Sequence, residues 1–170
     1  MVAGGKYKID LLKIKHGTAR YEFDIDNRFF EQFETSSIQE GKLEAVVEME
    51  KTANTFATVV TAKGTVKQEC DRCLNWIDFP VGARMELLVK LVEYPKEDED
   101  EIVHVSVSEG VFDAAQHIYD AIYLSLPLRK TCEDANVPGG CDATVTARLE
   151  GKKSEAEGED PRWNKLKDLL

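Results

Sequence analysis

Cys70-Asp71-Arg72-Cys73 is the stretch of this chain whose residue types and spacing are best suited to chemistry. Two cysteines with two residues between them can place both sulfurs on one tetrahedral metal ion, and a closed structural site then needs two further ligands. The chain offers Cys132 and Cys141, which makes Cys70, Cys73, Cys132 and Cys141 the candidate ligand set and zinc the candidate cofactor. Eight residues separate the second pair. That is wider than the two to four of an ordinary zinc knuckle, and it counts against a four-cysteine site. The same C-x-x-C also fits a thiol-disulfide oxidoreductase, provided that a helix N-terminus or a nearby cation activates one thiolate. Arg72 supplies a cation, but Leu74-Asn75-Trp76-Ile77-Asp78-Phe79-Pro80 reads as entry into a strand, not a helix. A third reading is structural: the pair pins a hairpin or sits unliganded in a turn.

Other catalytic arrangements do not stand out. There is no evident pairing of carboxylates and no Ser/His/Asp set, and Gly4, Gly5, Gly139 and Gly140 lack the strand-to-helix setting of a phosphate-cradling loop. A hydrolase or nucleotide enzyme is not expected. His104 falls in the run Ile102–Val107 and reads as a strand residue.

The cysteines must be positioned by the elements around them. Lys6–Lys15 roughly alternates polar and apolar residues, and Tyr21–Ile25 alternates again, so both read as strands. Asp26 and Asn27 can cap a short helix carrying Phe29, Phe30 and Phe33, with Thr35-Ser36-Ser37 at its end. Leu43, Ala45, Val47 and Met49 share one side of a long strand, a turn follows at Thr52-Ala53-Asn54, and Phe56, Thr58, Val60 and Ala62 continue the period of two toward Cys70. After Cys73 the alternation resumes through Phe79, Val81, Ala83, Met85, Leu87, Val89 and Leu91. The C-x-x-C is thereby expected at the tip of an antiparallel hairpin. Lys96–Glu101 is a charge run that reads as a solvated loop, and Ile102–Val107 as a short strand. Val111, Phe112, Ala115, Ile118, Tyr119, Ile122, Tyr123 and Leu126 follow helical spacing, which predicts a packing helix over 110–126 stopped by Pro127. The fold class expected is α+β: a strongly twisted antiparallel sheet, able to curl toward a barrel, with one main packing helix and a short N-terminal helix.

At 170 residues the chain suits a single domain over 1–150, followed by a flexible linker over 151–159 and a short amphipathic helix over 160–170. In that last segment Pro161 fits the first helical turn, and Trp163, Leu166, Leu169 and Leu170 share one side. So short a helix needs a surface to pack on, its own domain or a partner's groove. No apolar run approaches the about 20 residues of a membrane span, and the first residues lack the apolar core of a secretion signal. A cytoplasmic, reducing location without disulfides is expected. The net charge of −10 disfavours nonspecific nucleic-acid binding and favours a basic protein partner.

Three stretches in order along residues 40 to 170 resemble the bacterial YceD-like proteins, the large ribosomal RNA subunit accumulation family. They are Cys70-Asp71-Arg72-Cys73-Leu74 after a long strand, Leu124-Ser125-Leu126-Pro127-Leu128-Arg129-Lys130-Thr131-Cys132, and Asp160-Pro161-Arg162-Trp163-Asn164-Lys165-Leu166-Lys167-Asp168-Leu169-Leu170. The resemblance implies a role in ribosomal RNA accumulation and ribosome assembly, without enzymatic activity. Relatives carry further cysteines after Cys132 in a pattern like a zinc ribbon. This chain departs from it, since Asp134–Cys141 keeps only part. The expected partner is a ribosomal protein or large-subunit precursor, contacted through Arg72, Trp163, Leu166 and Leu170.

Overall fold

A strand that alternates apolar and polar residues buries one face, and this pattern builds most of the molecule. The computed structural model describes residues 5–33, 36–94, 96–99 and 101–154. It is an α+β fold whose chain divides into two compact units. The sheet unit comprises Met1–Gln68 and Asp78–Leu128; the cysteine unit comprises Glu69–Ile77 and Arg129–Leu170.

The main sheet of the sheet unit has the order β2-β3-β4-β5-β6, with β2 Gly17–Ile25, β3 Gly41–Thr52, β4 Thr55–Glu69, β5 Trp76–Val92 and β6 Ile102–Ser106. The register sets Leu43 opposite Gly64, Ala45 opposite Ala62, Val47 opposite Val60 and Met49 opposite Thr58. The residues expected to share a side therefore meet across the β3–β4 pair, and all but Gly64 are buried. Gly64 has its own reason to be glycine. A Cβ there would lie 2.2 Å from the Lys42 carbonyl oxygen, closer than any real contact, at a φ of +153°. Ala53 makes the tight β3–β4 turn with a left-handed φ of 55°.

The sheet departs from the expectation in two ways. β6 runs parallel to β5, Leu88 pairing with Ile102 and Val92 with Ser106. The chain between Val92 and Ile102 must therefore double back beside β5 before β6 begins. The sheet is also open, with β2 and β6 as its edges, and does not curl into a barrel.

Two element boundaries are corrected. The alternation over Lys6–Lys15 yields only β1, Lys8–Asp10, followed by a 3-10 turn at Leu11–Lys13. Asp10 ends the strand because its carboxylate accepts the Leu12 N–H at 3.1 Å. The packing helix does not begin at residue 110. Val111–Asp113 is β7, paired with β1, and the helix α2 runs Ala114–Ser125. Helical spacing could not foresee this, because Ile9 opposite Phe112 completes a small second sheet only through a distant partner. Asp113 then caps α2 by accepting the Ala115 N–H at 3.0 Å.

The short helix α1, Asn27–Phe30, is present as expected. Asp26 makes no side-chain cap bond there, while Asn27 instead accepts the Gly41 N–H. Phe29 is the hub of an aromatic cluster, with ring centroids 5.0 Å from Tyr7 and 5.3 Å from both Phe30 and Phe33. Phe33 stacks on Tyr119 of α2 at 4.2 Å. Along the polar side of α2 and its cap, Asp113 and Gln116 are exposed, Asp120 is half-buried, and His117 is half-buried and stacked on Phe112. The helix α3 runs Ala143–Ser154, so the first residues of the segment expected as a linker are helical. The rest of that segment and all of 160–170 lie outside the described residues. No helix among the described residues is long and apolar enough to cross a membrane.

Phe29→Ala is expected to cost about 3–5 kcal/mol, measured by urea denaturation followed by circular dichroism; a loss under about 1 kcal/mol would mean that the cluster is not the centre of this core. A second expectation concerns pH. Burial lowers the pKa of His117 from its ordinary 6.5, with Asp120, Asp98 and Asp113 pulling the other way. The unfolded chain then takes up a proton that the folded one resists. Stability is full above the unfolded value and is lost as pH falls through the lower folded one. His117→Phe, which keeps a ring against Phe112, should flatten that loss in melting temperatures taken across about pH 5–8.

Candidate metal centre

Each of the four cysteines is placed by a local backbone device within the cysteine unit. Cys70 and Cys73 occupy the connection between β4 and β5, six residues that are too few for a parallel crossover and turn the chain back on itself. The Leu74 N–H returns to the Cys70 carbonyl at 2.9 Å, and the Cys70 N–H donates to the Asn75 carbonyl at 2.9 Å. Leu74 closes this loop with φ 63°, a left-handed conformation that costs a residue other than glycine about 1–2 kcal/mol.

Cys132 sits in a single helical turn. Thr131 donates its N–H and hydroxyl to Asp134 Oδ2 at 3.1 and 2.6 Å, while the Asp134 N–H donates back to Thr131 Oγ1 at 3.3 Å. The turn ends in a Schellman motif: Asn136 is left-handed (φ 54°), its N–H donates to the Glu133 carbonyl, and the Val137 N–H donates to the Cys132 carbonyl at 2.8 Å. Cys141 follows Gly139 and Gly140, both at positive φ, and precedes Asp142. The Asp142 carboxylate accepts the Thr144 N–H at 2.7 Å and so caps α3.

A two-way clasp joins the first loop to the second. The Asp71 N–H donates to the Lys130 carbonyl at 2.8 Å, and the Lys130 N–H donates to Asp71 Oδ2 at 2.5 Å. Cys70 thereby adjoins one side of the clasp, and Cys132 lies two residues beyond the other.

The result is convergence of all four sulfurs, which lie within 4.8 Å of one another. Cys70 Sγ is 3.8 Å from Cys141 Sγ, and Cys73 Sγ is 3.5 Å from Cys132 Sγ. Four thiolates around a zinc ion at about 2.3 Å form a tetrahedron with edges of about 3.8 Å. The sulfurs are too far apart for disulfides, whose S–S bond is about 2.05 Å, and all four cysteines are free. The wide spacing of Cys132 and Cys141 counted against this set in the sequence; the Schellman turn and the two glycines are what bend those eight residues back.

The thiols are not equivalent. Burial works to raise the pKa of Cys70, yet the backbone N–H groups of Cys73, Arg72 and Cys132 and the Cys73 thiol outweigh it and bring it to about 6. Burial pushes Cys132 well up, reinforced by the thiols of Cys73, Cys70 and Cys141. Cys141 is raised as well, by burial first and then by the Cys70 thiol. A low pKa alone would suit a redox nucleophile, but Cys70 is 0% exposed. Thiol-disulfide exchange requires a thiolate that its substrate can reach. The arrangement suits an enclosed cation better.

Arg72 lies on the exterior of this loop, paired with Glu150 at 3.6 Å. Next to it in the chain, Leu74 and Trp76 are 66% and 61% exposed. These two were not singled out in the sequence, where both fell in a strand-like run. Trp163, Leu166 and Leu170 lie outside the described residues. His104 belongs to β6 of the sheet unit and is not among the grouped ligands.

The family model described as Large ribosomal RNA subunit accumulation protein YceD matches residues 59–170, more than half of the chain and all four cysteines. The chain belongs to the YceD family. No curated protein and no solved structure matches it. The YceD name implies a role in accumulation of large-subunit ribosomal RNA, and it is the name of an accumulation factor rather than of an enzyme. The match takes in the whole described cysteine unit and leaves out β1, β2 and β3.

Asp71→Ala removes the acceptor of the Lys130 N–H and should cost about 1 kcal/mol locally. That corresponds to roughly fivefold faster amide exchange at residues 70–73 and 130–132, with the β3–β4 amides unchanged as an internal reference. Equal exchange in both proteins would show that the clasp does not join the two loops.

Proposed function

We propose that this YceD-family protein supports large-subunit ribosomal RNA accumulation as a noncatalytic cytoplasmic factor that docks on a ribosomal protein or a large-subunit precursor. The observation that carries the reading is the family match over residues 59–170. The net charge of −10 supports a basic partner, because opposite charges steer encounter and raise the association rate. It does not favour bare RNA as the primary ligand, since binding there draws on lysine and arginine placed against phosphates.

Specific contact is assigned to the loop that carries Arg72 and Leu74, to Trp76 at the start of β5, and to Trp163, Leu166 and Leu170 of the C-terminal segment. Leu74 holds an apolar side chain in solvent at a conformationally expensive position, and Trp76 is the residue type most enriched among interface anchors. The Arg72–Glu150 pair is a surface ion pair of the kind worth about 0–1 kcal/mol, so a partner's carboxylate can replace Glu150 at little cost.

Affinity purification of the full chain from native lysate should enrich large-subunit ribosomal proteins or precursor RNA, and Trp76→Ala should reduce that enrichment about tenfold. Depletion should lower large-subunit relative to small-subunit ribosomal RNA. No enrichment together with an unchanged RNA ratio would refute the proposal.

A further inference from the structure

We propose that Cys70, Cys73, Cys132 and Cys141 hold one zinc(II) ion, and that this ion is what orders residues 69–77 and 129–154.

The two units differ in what they bury. The sheet unit has a full complement of buried aliphatic and aromatic side chains, from Ile9 to Ile122. Among the described residues of the cysteine unit, the buried ones are Cys70, Cys73, Ile77, Thr131 and Cys132. Three of these five are cysteines. Ile77 is the one large aliphatic side chain among them. So little apolar burial among the described residues does not by itself offset the entropy of ordering their backbone, and small segments of this kind rely on a metal or on disulfides. Its cysteines are free, so disulfides do not fill that role.

The donor set then selects the metal. Four sulfurs within 4.8 Å leave room for one tetrahedral ion and no open position, the arrangement of a structural rather than a catalytic centre. Soft thiolates exclude magnesium and calcium, which require oxygen ligands. The backbone N–H groups of Arg72, Cys73 and Cys132 directed at Cys70 Sγ would offset the excess negative charge of a tetrathiolate, as outer partners of metal ligands do. Loading replaces the thiol protons, which leave to solvent, and no electron is transferred. The inference does not depend on the ribosomal reading, because it is tested on the pure chain.

Full-length protein should carry one zinc per chain by elemental analysis. Cobalt(II) in its place should show the intense thiolate charge-transfer bands of a tetrahedral sulfur site. Chelation should accelerate amide exchange over 69–77 and 129–154 at least about tenfold while β3 and β4 keep their protection, and added zinc should restore it. Cys141→Ser should weaken zinc at least about 10–100-fold, and Cys141→His should recover most of the loss because it returns a ligand. The protected sheet reports in each case that the rest of the chain is folded. Protein that purifies without metal, that holds iron instead, or that exchanges identically with and without chelator would overturn the proposal.

Discussion

Four sulfur atoms within 4.8 Å impose an electrostatic condition on everything around them. Two full negative charges about 4 Å apart repel by about 4 kcal/mol at an effective dielectric of about 20, and a cluster of four multiplies that cost. The thiols must therefore keep protons or share a cation. The uneven pKa directions express this: backbone N–H groups favour the charged form at Cys70, while burial and neighbouring thiols oppose it at Cys132 and Cys141. A divalent ion would remove the conflict at once. The turns that deliver each cysteine make sense as devices for meeting this condition, because they fix backbone where almost no apolar side chain does.

The sheet unit rests on a different balance. Its order comes from the register of β3 with β4 and from an aromatic cluster around Phe29, both of which exclude water from large apolar surfaces. Its first strand is tied in by pairing, with β1 held to β7 and the Ala114 N–H donating to the Tyr7 carbonyl. One chain thus combines a unit stabilised by hydrophobic burial with a unit in which most of the buried side chains among the described residues are thiols. Membership of the YceD family spans the second completely and the first only in part. That distribution makes the cysteine unit, with exposed Leu74 on its first loop and exposed Trp76 directly after it, the natural place to look for the family's shared contacts.

Much of the scaffold could be read from residue order. The period of two located β3, β4 and most of β5, because a half-buried strand writes its geometry directly into alternating residues. The capping aspartates were less legible. Asp26 looks like a cap and makes no such bond, whereas Asp113 and Asp142 cap α2 and α3 and were not singled out. β7 was absorbed into the helix because Val111 and Phe112 fit either period, and only pairing with Lys8–Asp10 separates them.

Sequence by itself determined the α+β class, the position of the C-x-x-C between two strands and the candidate set of four cysteines, since these depend on local periodicity and residue type. Tertiary structure alone decided that Cys132 and Cys141 reach Cys70 and Cys73, that β6 runs parallel to β5, and that the sheet stays open. The physical reason is the same in each case. Convergence and strand direction are set by turns whose backbone angles, such as those at Asn136, Gly139 and Gly140, decide where distant segments meet. Residue spacing measures distance along the chain and carries no record of such a return.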